Sequence, residues 1–196
     1  MSAASRIPNS AAAPGRGGRA AGFTLIELLV TIAIAAILLA LAAPSFEDAA
    51  VSSKVSDVAT KMAVTANTAR SEAIKRNGRI VVCMSADGAS CAGSGSWEQG
   101  WMAFHDRNQN GTRDADADPT KDDTVVLKEP AVTNGYKVIE AGGQTSLNFP
   151  STGIGASTAD YVICRSAPAV HKAQRRVLIA PTGKGSVQKL EGTTCG

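Results

Sequence analysis

Residues 22–44 read GFTLIELLVTIAIAAILLALAAP, and no other part of the chain limits its architecture as much. Between Phe23 and Ala43 there is one charged side chain, Glu27, close to the start. A helix of about 20 predominantly apolar residues is enough to cross a bilayer. A carboxylate inside that layer is costly unless it has a partner. Hydropathy alone leaves two readings open. One is a transmembrane anchor whose Glu27 sits near the interface. The other is a secretory signal peptide, with Arg6, Arg16 and Arg19 as its basic region and Ala40-Leu41-Ala42 as a small-x-small cleavage site. The run is long for the apolar core of a signal peptide, and such a core does not normally hold a charge.

A third reading comes from the motif. Residues 22–27, Gly-Phe-Thr-Leu-Ile-Glu, resemble the type III signal of type IV pilins and pseudopilins. The resemblance implies that a prepilin peptidase cuts after Gly22 on the cytoplasmic side and that the new terminal Phe23 is methylated on its amine. It also gives Glu27 a purpose. Cleavage creates an ammonium at Phe23, and in a filament the carboxylate of one subunit can meet the ammonium of its neighbour. Each charge then has a partner in a dry core, where an unpaired one would be costly. Pro44 fits as well, since pilins commonly carry a helix-bending proline about this far from the cut. The leader, residues 1–22, departs from the usual pattern in its length and in having Ala20-Ala21 before Gly22 where a basic residue is common.

The formal net charge of +3 resides in the three leader arginines. Beyond them acidic and basic side chains balance, so charge gives no general argument for a nucleic-acid partner. Positive residues precede the apolar run, which places the C-terminal part outside the cytoplasm. The expected location is the inner membrane, crossed once, with a periplasmic domain. Thiols pair in that compartment. Cys83, Cys91, Cys164 and Cys195 allow three connectivities. Cys83–Cys91 and Cys164–Cys195 are favoured, because each closes a local loop or ties down a chain end. No Cys-x-x-Cys spacing points to a metal.

Helical periodicity continues past Pro44. Val51, Val55, Val58, Met62, Ala66, Ala69 and Ala73 recur at three and four residues and form one apolar stripe. Asn77-Gly78 ends it, with Gly78 expected to take the left-handed cap. Short β-rich runs then follow: Arg79–Met84, Trp97–His105, Thr124–Lys128, Tyr136–Glu140, Ser146–Phe149, Tyr161–Cys164, Arg175–Ala180 and Ser186–Leu190, separated by Gly, Ser, Asp, Asn and Pro clusters. The expected class is α+β: a long N-terminal helix packed on an antiparallel β domain. The divisions are a cleaved leader (1–22), a transmembrane helix (23–43), its amphipathic continuation (44–78) and a β-rich domain (79–196), which is long enough for its own core.

Three further segments extend the resemblance. TARSEAIKRNGRIVVC (68–83), WEQGWMAFHDRNQNGTRD (97–114) and APTGKGSV (180–187) resemble the GspH/FimT group of minor pseudopilins. That group implies a pilin-like fold and a structural role in a type II secretion pseudopilus or a type IV pilus. The implied partners are other pilins, the membrane, and the peptidase and methyltransferase that process the chain. Some members of the FimT branch bind DNA through a C-terminal Gly-Arg-x-Arg stretch. Here the matching residues are Gly183-Lys184-Gly185-Ser186, so one cation is kept and the second is missing. Arg175 and Arg176 are the candidates to replace it, although on a strand they point to opposite faces. DNA uptake is therefore the alternative function, and a solvated surface is the plainer one. His171, Lys172 and Lys189 add charge to the same region.

Residues 106–114 open like a calcium loop, with oxygen ligands Asp106, Asn108 and Asn110 alternating before Gly111. The bidentate acid expected six residues beyond the glycine is Ala117, which leaves Asp114, Asp116 or Asp118 to supply carboxylates. A hairpin tip whose Asx side chains cap turns is the competing interpretation. Trp97 and Trp101 are expected on one face of a strand and Phe104 on the other, either as core or as a docking patch. His105 and His171 lie in no catalytic motif, and neither a P-loop nor a dinucleotide fingerprint is present. No enzyme activity and no cofactor other than calcium is expected.

Overall fold

The computed structural model describes residues 22–116, 118, 122–167, 172–192 and 195. The leader arginines, Ala117 and His171 lie outside the described residues. The chain divides into two units, residues 1–42 and 43–196. The first is represented by the start of one long helix, α1 (Leu25–Arg76), which is long and apolar enough to cross a membrane. Its side chains from Leu25 to Leu41 are exposed.

In the second unit the helix is amphipathic, and the stripe from Val51 to Ala73 is its buried face, with none of the seven residues more than 3% exposed. The face is wider than the stripe, because Ala59, Ala63 and Thr65 are buried too. Two sheets account for the extra width. β1 (Arg79–Met84), β2 (Trp101–Asp106), β3 (Val125–Glu129) and β5 (Ser146–Phe149) form one, in the order β3-β2-β1-β5. β4 (Tyr136–Glu140), β6 (Ala159–Arg165), β7 (Ala173–Ile179) and β8 (Gly185–Glu191) form the other, in the order β4-β6-β7-β8. Every described pairing is antiparallel. Helix, Ile80, Val82, Met84, Leu147 and Phe149 of the first sheet, and Tyr161, Ile163 and Val177 of the second, share one core. The small residues of the stripe let the sheets approach the helix closely. Gly185 shows how closely: a Cβ there would stand 2.8 Å from the Ala63 carbonyl oxygen, and the Gly185 N–H and C=O both bond the Asn67 side chain.

The sheet containing β1 is buried on both faces. Val81, Cys83, Met102 and Phe104 point away from the helix into a second, smaller cluster that also holds Cys91. The Cys83–Cys91 disulfide folds the loop after β1 back over that cluster, and the Ala92 N–H donates to the Met84 carbonyl at 2.8 Å. Cys164 on β6 is bonded to Cys195, which ties the C-terminal end to the second sheet.

Two expectations need correcting. Asn77, not Gly78, takes the left-handed position at the end of α1, with φ 47°. The Gly78 N–H bonds the Ala73 carbonyl and the Asn77 N–H bonds the Ile74 carbonyl, a Schellman arrangement. Gly78 is needed for a different reason: a Cβ on it would lie 2.1 Å from His105 Nε2. The run Trp97–His105 is also not one strand. Trp97–Gln99 is a turn of 3-10 helix, and Gly100, with φ 108°, separates it from β2. Both tryptophans are core residues. Trp97 meets Tyr161 edge to face at 5.2 Å and donates to the Gln144 carbonyl at 2.8 Å, while Trp101 donates to Thr65 Oγ1 at 3.0 Å. Phe104 lies on the opposite face of β2, as strand alternation requires.

Candidate functional site

The N-terminal segment is built around Thr24 and Glu27. Phe23 is 90% exposed and Gly22 is exposed beside it. Glu27 Oε2 accepts the Thr24 backbone N–H and the Thr24 hydroxyl, each at 2.9 Å, and the Glu27 N–H donates to Thr24 Oγ1 at 3.2 Å. This is a reciprocal capping box, with Thr24 as N-cap and Glu27 three residues on. It uses helix-start N–H groups that have no partner of their own, and it puts a carboxylate where the helix dipole favours one. The Thr-x-x-Glu spacing signals such a cap in the sequence, and reading Glu27 through its charge alone misses Thr24. Further along, the Thr31 hydroxyl donates to the Leu28 carbonyl at 2.8 Å, so the one hydroxyl between Leu28 and Ala43 is satisfied within the helix.

The candidate DNA-contact residues do not form one free surface. Arg176 is bound through Nε and Nη2 to Asp160, whose carboxyl it holds below the usual range. Arg175 points the other way, toward α1, and donates to Ser52 Oγ at 3.3 Å and to the Gln174 carbonyl. Lys184 is exposed in the turn between β7 and β8, beyond the opposite end of β7.

The loop after β2 is satisfied from within. Asp106 is buried, and its carboxylate takes Arg79 together with the N–H groups of Asn110 and Gly111. The Asn108 and Asn110 amides both donate to Asp114 Oδ2, at 2.7 and 2.8 Å. Asp123 accepts the N–H groups of Arg107 and Asp114. The first position of the expected calcium loop, Asp106, is engaged by a guanidinium, and among the described residues no group of three or more His, Cys, Asp or Glu could hold a metal.

The comparisons bear on the whole arrangement. Residues 18–43 match the prokaryotic N-terminal methylation motif. Among solved structures, the type IV minor pilin FimU of Pseudomonas aeruginosa is similar at a TM-score of 0.51 and 16% identity, covering 69% of this chain and 89% of that one. The minor pseudopilin EpsH from the type 2 secretion system of Vibrio cholerae is similar at 0.43 and 15% identity, covering 70% and 97%. At these identities the likeness to FimU is one of fold. No curated protein matches the chain. Residues 58–183 match the model of the type II transport protein GspH, and over that span, most of the chain, it belongs to the GspH family.

Proposed function

We propose that this chain is a membrane-anchored structural subunit, a minor pilin or pseudopilin, of a type II secretion pseudopilus or a type IV pilus. One observation carries the reading: a methylation motif at residues 18–43 and a GspH match at 58–183 occur in one chain. A prepilin peptidase removes residues 1–22, and Phe23 becomes the methylated N-terminus. Residues 23–43 hold the subunit in the inner membrane with its β domain on the periplasmic side. They then pass into the core of the filament, where the exposed apolar side chains between Phe23 and Leu41 pack against neighbouring helices.

The capping box adds a step to the role of Glu27. In the uncleaved chain its carboxylate is occupied by Thr24 of its own helix. Cleavage places an ammonium one residue before Thr24. The carboxylate then serves a second partner, the Phe23 amine of a neighbouring subunit, and so sets the register between them. The DNA-uptake reading draws no support from Arg175 and Arg176, which are engaged within the domain.

The mass of the N-terminal peptide from native membranes tests the proposal. A peptide beginning with N-methylated Phe23 is expected. A peptide beginning at Ala43, from a protein free of the membrane, would make this an ordinary secreted β protein and remove the role given to Glu27.

A further inference from the structure

The end of the β domain at the C-terminal end of α1 carries an arginine, Arg70, with no hydrogen-bond or ion-pair partner among the described residues. Arg70 Nε is buried and makes no hydrogen bond within the chain. Two glycine turns fix the side chain. Gly183, with φ 74°, lies so close that a Cβ would stand 3.3 Å from Arg70 Cδ, and a Cβ on Gly153, with φ 72°, would stand 2.9 Å from Ile74 Cδ1 and 3.7 Å from Arg70 Nε. The turns are joined, since the N–H groups of Gly155 and Ala156 both donate to the Pro181 carbonyl, at 2.9 and 3.0 Å. Around this clasp the surface is apolar and positive. Ile74 is 49% exposed, Ile154 is 64% exposed, and Lys184 extends from the turn beside Gly183. The nearby carboxylate on the helix, Glu72, is already taken by Lys75 and Arg76.

An immobilised arginine beside exposed aliphatic side chains is the kind of group that dominates protein interfaces, because little entropy is lost when it binds. We propose that Arg70, Ile74, Ile154 and Lys184 form a docking surface for a different filament subunit, one that presents a carboxylate beside an apolar side chain. This rests on the filament-subunit reading above. Charge complementarity fixes the chemistry of the partner: two cations without acids call for an acid, and the isoleucines call for an apolar neighbour. A second copy of this chain fits poorly. The exposed Phe46 of a second copy is followed by Glu47 and Asp48, but Glu47 is held by Arg165 at 3.0 Å and Asp48 is not free either. Nucleic acid fits poorly as well, because the isoleucines offer no stacking platform and two cations make a short phosphate track.

Photo-crosslinking of the full-length chain in its native cells tests the surface. Benzoylphenylalanine is placed at position 154, and in a parallel strain at position 29, within the apolar segment of α1. The expected result is an adduct from position 154 with another protein that carries an N-terminal methylation motif. Its yield should fall about tenfold or more on Arg70→Glu, and on Lys184→Glu to a smaller degree. An acid-to-arginine change in the crosslinked segment of the partner should restore it in the Arg70→Glu strain. The exposed variant Ile154→Asp, paired with the probe at position 74, covers the case in which Arg70→Glu lowers the amount of protein. Adducts from position 29 with no pilin adduct from 154 would overturn the docking surface and leave the filament reading standing. Adducts from neither position would overturn both. An adduct from 154 with a second copy, or with DNA, would overturn the choice of partner.

Discussion

His105 and Gly78 show how single residues at the junction of helix and sheet constrain each other. Gly78→Ala places a methyl group within 2.1 Å of the imidazole, so the ring or the backbone has to move. A loss of about 1–3 kcal/mol is expected, measured by urea unfolding of the detergent-solubilised chain. The imidazole also makes stability depend on pH. Burial is the largest influence lowering its pKa below 6.5, followed by Arg107 and Arg76, while Asp123 and Asp106 oppose them. Nδ1 is buried with no partner, which suits a neutral ring. The folded state therefore binds this proton less readily than the unfolded state does. The resulting stability is present above pH 6.5 and is lost as pH falls below it toward the folded-state pKa. The wild-type unfolding midpoint should drop between pH 7.5 and 5.5, and His105→Gln should flatten that drop. Glu72, Glu98 and Asp160, whose carboxyls are all held low, titrate in a more acid range. The sequence shows Asn77-Gly78 as a helix end, but it does not show which of the two is the cap. The requirement for glycine comes from a histidine on a strand formed later in the chain, and no local pattern records that contact.

At the scale of elements, the strand runs and the helix stripe were legible because each answers to local periodicity. β1, β4 and β5 lie at the bounds that the alternation predicts. Trp97 was misplaced because a tryptophan four residues before a true strand extends the apolar run, while Gly100, the residue that breaks it, reads from sequence as merely a weak strand residue. The helix face was underestimated because Ala59 and Ala63 carry little hydrophobic signal yet sit where a second sheet closes on them. Two substitutions separate burial from closeness. Met62→Ala should cost about 2–5 kcal/mol through the cavity it leaves. Ala63→Leu should cost at least about 1–3 kcal/mol through overpacking, since Gly185 already touches that residue. The loop after β2 behaves as an element in its own right, with Asp106 as its hub. Asp106→Ala leaves Arg79 unpaired and should cost about 3–5 kcal/mol, because the carboxylate is fully buried. Millimolar calcium should leave the wild-type unfolding midpoint unchanged. A rise with calcium would mean that the Asn amides turn their oxygens inward and that the loop binds metal after all.

For the whole molecule, the question is why a segment bound for lipid and then for a filament core begins with a capping box. A helix start exposes N–H groups that neither lipid nor apolar side chains can satisfy. Thr24 and Glu27 satisfy part of that need within one turn, so the helix can form before any neighbour is present. On the proposed reading, the same carboxylate is in place when cleavage creates a charge for it to meet. These two duties can be separated by substitution. Glu27→Gln keeps an oxygen that accepts the Thr24 N–H but removes the charge, whereas Thr24→Val removes the side-chain half of the cap and keeps the charge. Both variants retain the apolar run, so both should remain in the membrane fraction in amounts close to wild type. Glu27→Gln should be cleaved at Gly22 yet be absent from sheared filaments, because the Phe23 ammonium of its neighbour finds no counter-charge. Thr24→Val should enter filaments at reduced yield, since the carboxylate remains available but its helix turn is less well held. Equal incorporation of Glu27→Gln and wild type would leave capping as the sole use of Glu27, and the register between subunits would then have to come from the β domains.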